Sequence, residues 1–482
     1  MNPNKLIILP LTVAAIGSCT GAKNKKDAPV STDAQKPNII YILADDLGYG
    51  DLSCYGQQRF QTPNIDRMAR EGMRFTQHYA GTTVSAPSRS CLMTGQTTGH
   101  TPIRGNKEVA PEGQWPLPDS TFTLAEMLKQ AGYVTGAFGK WGLGYPGSEG
   151  DPNKQGFDEF FGFNCQRLAH NHYPEYLWHN QEKVILEGNS GDGFGQYAPE
   201  LIHQQALQFM EKHHDKTFFL YYPTTLPHAE LLVPEKQIKP FRGKFLPEKS
   251  FKGTEPGDKG FRNGAYGTQP EGHAAFAAMV TLLDQQVGEI LDKLKELGLD
   301  NNTLVIFSSD NGPHLEGGAD PDYFDSNGHL KGYKRDLYEG GIREPMIAWW
   351  PGKIKEGVTT DHISAFWDVM PTLAELNGIE TPDNIDGISF LPTLLGKEGQ
   401  QEHAYLYWEF HEQGGRQALR KNNWKLVRYE VSDPAKTTTE LYDLTSDPGE
   451  EHNVAAEHPE IVVELLKLMA GARTPSEVFN FQ

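Results

Sequence analysis

Residues 36–46 read KPNIIYILADD, and this stretch indicates that the chain forms a parallel β-sheet. Their middle is a continuous apolar and β-branched run, which is typical of a parallel strand buried on both faces. The run ends in two adjacent carboxylates, Asp45 and Asp46. Because open α/β sheets bind their ligands outside the carboxyl ends of the strands, we expect both carboxylates to lie at a functional site.

Similar apolar runs recur along the chain and alternate with helical segments. They lie at residues 133–138, 217–223, 302–309 and 346–350. This alternation predicts an α/β fold with a large mixed, mostly parallel sheet sandwiched by helices. Polar residues follow three of these runs: Lys140, His228, and the pair Asp310 and Asn311. Since the carboxyl ends of parallel strands share one edge, we expect these residues to converge on the two carboxylates of the first run.

A second stretch, residues 85–95, reads SAPSRSCLMTG. Pro87 fits the first turn of a helix, where its missing N–H is not needed, and Ser85 is expected just ahead of that helix as its cap. A helix N-terminus favours anions through its free N–H groups and its dipole. Arg89 follows about one turn later and adds a fixed cation with fork-shaped donors. The stretch therefore predicts a small nucleophile at the mouth of an anion pocket.

The same residues resemble the sulfatase signature, [Ser/Cys]-x-Pro-x-Arg-x-x-x-x-Thr-Gly, at every fixed position. In that family the Ser or Cys is oxidised to formylglycine, and the hydrated aldehyde attacks sulfur. The resemblance implies that Ser85 is modified by a serine-type maturase and that Arg89 neutralises charge on the sulfate. It also implies a Ca²⁺ ion, which prefers hard oxygen ligands. Its ligands would be Asp45, Asp46, Asp310, Asn311 and the modified Ser85.

Further family motifs assign residues to the sulfate group. The motif GKWGLG contains Lys140, which the resemblance places on the sulfate, and Gly142, where the family has a histidine near formylglycine. His228 ends a Pro-His pair whose histidine meets the ester oxygen of the leaving group. Lys334 has the spacing of the family's second sulfate lysine, and Lys331 is the alternative.

The glycine at 142 leaves space above Trp141 that another side chain could fill. Breakdown of the formylglycine hydrate needs a base or acceptor within hydrogen-bond reach. We predict that His170, on the aromatic insertion at residues 157–198, takes this place. The alternative is that water or Lys140 serves and that His170 only contacts sugar or packs. Weaker candidates for contacts with the substrate are His172, His100 and Arg104.

Composition excludes several classes of partner. The formal net charge of −19 disfavours binding to nucleic acid and to anionic membrane surfaces. An anionic substrate must therefore be drawn in by a local positive pocket. The four cysteines lie far apart and lack metal-ligand spacing. If Cys19 is used elsewhere, the remaining three can form at most one disulfide, so the chain is not a disulfide scaffold.

The N-terminus has the pattern of an exported lipoprotein. Residues 1–18 contain a lysine followed by a short apolar segment, which predicts a signal peptide. Residues 16–19 resemble a bacterial lipobox, with Cys19 lipidated after cleavage, and residues 19–35 are expected to be a flexible tether. These features predict a cell-envelope lipoprotein, on the periplasmic side or the outer surface of the outer membrane, that contacts the membrane only through its lipid anchor.

The remaining chain is expected to form a catalytic α/β domain at 36–398 and a smaller C-terminal α+β subdomain at 399–482, where short alternating strands predict an antiparallel sheet. The function implied is hydrolysis of sulfate monoesters, with a sulfated carbohydrate from host or algal glycans as substrate. Two alternatives remain open. One is a phosphomonoesterase or phosphodiesterase of the same superfamily, and the other is a catalytically silent glycan-binding protein.

Overall fold

Strand β1, Asn38–Ala44, lies in the middle of the large sheet, and all its residues are buried. Ile40 and Ile42 belong to the hydrophobic core on one face of the sheet, and Ile39, Tyr41 and Leu43 to the core on the other. This two-sided burial explains the continuous apolar run in the sequence. The computed structural model describes residues 36–481, so the predicted signal peptide, Cys19 and the tether lie outside the described residues.

Ten further strands of the described residues complete this sheet. They are β2 (Met73–Tyr79), β3 (Val134–Lys140), β4 (Glu159–Phe163), β5 (Tyr176–His179), β6 (Glu182–Ile185), β7 (Phe218–Pro223), β8 (Thr303–Ser309), β9 (Arg343–Trp349), β10 (Val358–Thr360) and β11 (Ser364–Ala365). The order is β10-β2-β9-β8-β1-β7-β3-β4-β5-β6, and β11 pairs with β2. The five strands from β8 to β4 are parallel, whereas β9, β5 and β6 pair antiparallel with their neighbours. The predicted mixed, mostly parallel sheet is confirmed, and its parallel strands deliver their carboxyl ends to one edge.

Helices cover both faces of the sheet. They are α1 (Pro63–Arg70), α2 (Ser85–Thr94), α3 (Leu124–Gln130), α4 (Ala198–Lys212), α5 (Glu235–Ile238), α6 (Gly272–Glu296), α7 (Pro321–Phe324), α8 (Glu339–Ile342), α9 (Val369–Asn377) and α10 (Leu391–Leu394). The core on one face takes residues from α1, α4 and α6, and the core on the other from α2, α3 and α9. Within residues 36–481, no helix combines the length and the apolar character that a membrane crossing requires.

A second sheet follows at the C-terminus, as predicted. Its strands are β12 (Leu406–Phe410), β13 (Arg416–Lys421), β14 (Trp424–Tyr429) and β15 (Thr438–Asp443), antiparallel in that order. Helix α11 (Pro459–Gly471) packs on one face through Leu465 and Met469. The other face packs against Tyr79 of β2, Ile342 of α8 and Cys91 of α2. The predicted domain boundary at residue 399 falls between α10 and β12.

Candidate active site

Two neighbouring strands end in four oxygen-bearing side chains. Asp45 and Asp46 follow β1 directly, and Asp310 and Asn311 follow β8 directly. The parallel register of the strands places both pairs at the same level of the sheet edge. The backbone N–H of Asp46 donates to Asp310 Oδ1 (3.0 Å), and Asn311 Nδ2 donates to Asp46 Oδ1 (2.6 Å). All four side chains are buried. These contacts confirm that the polar residues after the two strands lie close together.

Ser85 is the first residue of α2, and the cap position belongs to Val84. The prediction that Ser85 caps the helix is therefore wrong. Its hydroxyl does not bond to the helix backbone but donates to Asp45 Oδ1 (3.3 Å). One turn later, Arg89 is fully buried, and its Nε and Nη2 both donate to Asp310 Oδ2 (3.1 and 2.8 Å). Helix α2 thus places Ser85, the expected nucleophile, beside Asp45, and the Arg89 guanidinium fixes the position of the Asp310 carboxylate.

Two buried lysines complete the charge pattern. Lys140, the last residue of β3, places Nζ 2.8 Å from Asp45 Oδ2 and 3.4 Å from Ser85 Oγ. Lys334 Nζ lies 2.7 Å from Asp46 Oδ2. Burial lowers the pKa of Lys140, and the charge of Asp45 opposes this shift only in part. For Lys334, the charges of Asp46 and Glu316 outweigh burial, so its pKa is raised.

The alternative lysine is engaged elsewhere. Lys331 Nζ lies over the Tyr338 ring and donates to the Glu450 carbonyl (3.1 Å). The structure therefore assigns the second lysine of the site to Lys334.

His228 lies in the middle of three stacked imidazoles. Its ring centroid is 5.0 Å from that of His170 and 5.2 Å from that of His314, and the rings are nearly parallel. His228 Nδ1–H donates to the Ala229 carbonyl (2.5 Å), so Nε2 is free to accept from Lys334 Nζ (3.0 Å). Burial, followed by the charge of Lys334, lowers the pKa of His228 well below its ordinary value, which keeps the ring neutral.

Three of the weaker candidates are directed elsewhere. His172 is fully buried and packs edge-on against Tyr197 (centroids 5.8 Å apart). His100 Nδ1 lies 2.9 Å from Asp386, to which it is bonded. Arg104 is buried and donates to Glu409 and to the Thr474 carbonyl, so it holds the C-terminal segment to the catalytic domain. Partners account for the side chains of His100 and Arg104, whereas neither ring nitrogen of His172 makes a hydrogen bond within the described residues. That these three residues contact substrate stays a prediction.

The space at Gly142 is filled by Gln166, a residue that the sequence did not predict at the site. A Cβ at position 142 would lie 1.8 Å from Gln166 Nε2. His170 lies instead against His228, so it is next to the site but does not take the place of a histidine at 142. Only the contact between two chain segments identifies Gln166, and no local sequence signal marks it.

The donor set at this edge suits a hard cation. Ligand atoms of Asp45, Asp46 and His228 lie within 4.8 Å of one another. Asn311 Oδ1 is buried and accepts no hydrogen bond within the described residues. An amide oxygen beside three carboxylates is a typical calcium ligand set. Three buried cations, Arg89, Lys140 and Lys334, face the same carboxylates, so the arrangement can hold an anion next to Ser85.

Known proteins are similar to this chain in sequence and in fold. The family model described as Sulfatase matches residues 37–379, and that of the N-sulphoglucosamine sulphohydrolase C-terminal region matches residues 329–474. The N-acetylgalactosamine-6-O-sulfatase of Bacteroides thetaiotaomicron is 31% identical, over 97% of this chain and 99% of its own. Arylsulfatase A of Homo sapiens is 32% identical, over 90% and 87% of the two chains.

Among solved structures, that of Ps i-CgsB in complex with k-i-k-neocarrahexaose is similar, with a TM-score of 0.74 and 28% identity over 91% of this chain and 92% of that one. The matched family spans most of the described residues and includes the whole cluster from Asp45 to Lys334. The chain belongs to the sulfatase family of the alkaline-phosphatase superfamily and is a sulfuric ester hydrolase.

Proposed function

We propose that this sulfatase hydrolyses sulfate monoesters of sugars, with a formylglycine formed from Ser85 as nucleophile and calcium at the ends of β1 and β8. The observation that carries the proposal is the position of Ser85 Oγ, 3.3 Å from Asp45 Oδ1 and 3.4 Å from Lys140 Nζ. A serine at this place has a carboxylate and a cation within reach on neighbouring strand ends.

The proposed calcium ligands are Asp45, Asp46, Asp310, Asn311 and the modified residue 85. Their fit rests on the chemistry of the donors, since calcium takes about six to eight oxygen ligands, and on the unpaired Asn311 Oδ1. When bound, calcium supplies positive charge that polarises the sulfate. Arg89 contributes indirectly, because its two bonds to Asp310 Oδ2 fix that carboxylate.

The chain's own side chains bind the sulfate group and supply the proton that the leaving sugar oxygen takes up. If Ser85 is converted to formylglycine, its hydrated aldehyde would supply the hydroxyl that displaces the sugar oxygen from sulfur. Lys140 and Lys334 present ammonium groups to the sulfate oxygens, where their charge opposes the negative charge that develops during hydrolysis. Lys334 Nζ donates a hydrogen bond to His228 Nε2. We expect this pair to supply the proton that the leaving oxygen takes up.

Two further features support a sugar as the substrate class. The Bacteroides relative is named for a sulfated N-acetylgalactosamine, and the similar solved structure contains a neocarrahexaose. In this chain, a cavity of about 420 Å³ is lined by Tyr173, Phe194 and Phe261 and extends to Gly267. The preceding residue, Tyr266, lies 6.3 Å from the His228 ring. Aromatic walls with a few polar groups are typical of sites for small organic ligands.

The alternative functions fit the site less well. A phosphatase or phosphodiesterase with unmodified Ser85 would hold transition metals through several histidines, whereas the ends of β1 and β8 carry three carboxylates and one amide, and the nearby His228 Nε2 accepts from Lys334. A silent glycan-binding protein is contradicted by the family to which the chain belongs.

We also propose that the protein is a cell-envelope lipoprotein, anchored only through Cys19, because residues 1–19 have the export pattern described above. Its proposed protein partner is a serine-type maturase that acts on Ser85.

Mass spectrometry after expression with and without a serine-type maturase tests the function. We expect the peptide with residue 85 to lose two hydrogens only with the maturase, and only that protein to hydrolyse members of a panel of sulfated monosaccharides. Ser85→Ala should be inactive, and the matched variant Ser90→Ala, on the same helix, should still be modified. Sustained turnover by fully unmodified protein, or hydrolysis of phosphate esters alone, would contradict the proposal.

A further inference from the structure

Gln166 is a buried glutamine whose amide nitrogen makes no bond. It lies on the loop after β4, is 6% exposed, and its Nε2 makes no hydrogen bond within the described residues. Asn164, two residues earlier and 1% exposed, likewise has both amide atoms unpaired. Buried polar groups in native proteins are nearly always satisfied, and exceptions call for an explanation such as a bound ligand.

This loop runs beside the loop that carries Lys140. Strands β3 and β4 are parallel, with Lys140 opposite Phe163. Beyond the strands, the Trp141 N–H donates to the Phe163 carbonyl (2.9 Å) and the Gly142 N–H to the Asn164 carbonyl (3.0 Å). The loop of Gln166 is therefore tied to the segment that places Lys140 Nζ 3.4 Å from Ser85 Oγ.

Gly142 makes the position of the Gln166 amide possible. Residue 142 has a φ of +80°, and a Cβ there would lie 1.8 Å from Gln166 Nε2. Any side chain at 142 would force this amide to move. The backbone N–H of Gln166 is held by Gln114 Oε1 (3.1 Å), so the loop itself is anchored while the amide keeps its donors free.

We propose that Gln166 contacts the substrate and donates a hydrogen bond from Nε2 to an oxygen of the sulfate group. Within the described residues Nε2 has no hydrogen-bond partner, and a bound anion would supply one. A sulfate oxygen is an acceptor only, which matches an NH₂ donor on the loop that is hydrogen-bonded to the segment after Lys140. This inference rests on the proposed function, because it takes the sulfate-binding site to be the one around Ser85.

The first test compares Gln166→Ala and Gln166→Glu in the matured full-length enzyme. A hydrogen bond to a charged group contributes roughly 1.5–3 kcal/mol, so Gln166→Ala should lower kcat/KM and weaken inhibition by inorganic sulfate about 10- to 100-fold. Gln166→Glu should be more damaging, because a carboxylate cannot donate and repels the anion. Wild-type kcat/KM and wild-type sulfate inhibition in both variants, at wild-type Tm, would overturn the proposal.

Gly142→Ala provides a second test that keeps the glutamine. Its Cβ displaces the amide, so it should weaken sulfate binding, and adding Gln166→Ala should then have little further effect. Fully additive effects would overturn the proposal. Gln286→Ala is the matched control, since this buried glutamine bonds to Tyr222 and to the Pro199 carbonyl. It should lower Tm and leave sulfate binding unchanged.

Calorimetric binding of inorganic sulfate separates this inference from the proposed function. If the wild-type protein binds sulfate but hydrolyses no sulfate ester, the proposed function fails, and Gln166 is still judged by the sulfate affinity of its variants. Equal affinity in wild type and Gln166→Ala would remove Gln166 from the site.

Discussion

The His170 ring packs against the ring of His228, so we expect it to act on the site by positioning His228. Its ring lies parallel to that of His228, with centroids 5.0 Å apart, and its Nδ1 bonds to the Gly264 carbonyl (2.9 Å). Burial lowers the pKa of His170 to about 3, so the ring is neutral at the pH of most assays. A neutral ring held by a carbonyl can fix the plane of His228 without exchanging a proton itself.

We therefore predict that His170→Ala lowers kcat and kcat/KM together, whereas His170→Phe, which keeps a flat ring, retains most activity. An aromatic pair contributes about 0.5–1.5 kcal/mol, which corresponds to roughly a 2- to 10-fold effect. Steady-state kinetics with a sulfated sugar measure it. A rise in KM alone would assign His170 to substrate binding, and wild-type kinetics in His170→Ala would rule out both roles.

At the level of strands, the ends of β1 and β8 build the proposed calcium site. Both strands lie in the middle of the sheet, and their ends meet only in the folded chain. An ion that binds there therefore stabilises the folded state, because the unfolded chain lacks the site. We predict that calcium raises the Tm of the wild-type protein and that chelation reverses the rise. Stabilisation grows with ligand concentration and reaches about 2.7 kcal/mol at 100 times Kd.

Thermal unfolding with and without calcium measures this increment. Asp310→Asn should abolish the calcium-dependent rise, while Asp119→Asn, at an exposed position, should keep it. The opposite result, a rise in Tm with zinc and none with calcium, would count against this site and in favour of a phosphatase-type metal centre.

Sequence alone predicts the strands and most polar residues at their ends, because each strand is a continuous apolar run and each polar residue follows it directly. Asp45, Lys140 and Asp310 are examples. It does not predict contacts that depend on side chains from segments distant in sequence. The bond from Ser85 to Asp45 that replaces capping is one such contact, and the space at Gly142 that Gln166 fills is another. Arg104 is a candidate for substrate contact in the sequence because its partners, Glu409 and Thr474, lie 305 and 370 residues later.

In the molecule as a whole, a buried ionic network joins the C-terminal sheet to the catalytic domain. Lys425 on β14 places Nζ 2.8 Å from Glu339 Oε1 on α8 and 2.9 Å from Glu450 Oε1. Glu339 also accepts from Tyr79 (2.6 Å) on β2. Two carboxylates thus share one lysine, so only one of them is well compensated when both are ionised.

The two carboxylates respond in opposite directions. Burial, reinforced by the charge of Glu339, raises the pKa of Glu450, although Lys425 opposes the shift. For Glu339, burial is outweighed by Lys425 and Arg343, which lower its pKa. A raised pKa means that the folded state holds the proton more tightly than the unfolded chain. Its stabilisation is therefore complete below the ordinary glutamate pKa of about 4.3 and is lost as pH rises through the raised value.

We predict that the contribution of Glu450 to stability falls by roughly 1–3 kcal/mol as pH rises from about 4.3 towards its raised pKa of about 7, and that Glu450→Gln removes this part of the pH dependence. Glu339 does not contribute in this window, because its lowered pKa affects stability only at more acidic pH. Tm against pH for both proteins measures the difference. Glu451→Gln is the matched control, since Glu451 is exposed, and its profile should parallel the wild type. If the Glu450→Gln profile also runs parallel to the wild type, Glu450 is ionised throughout this range and the network does not couple the two sheets to pH.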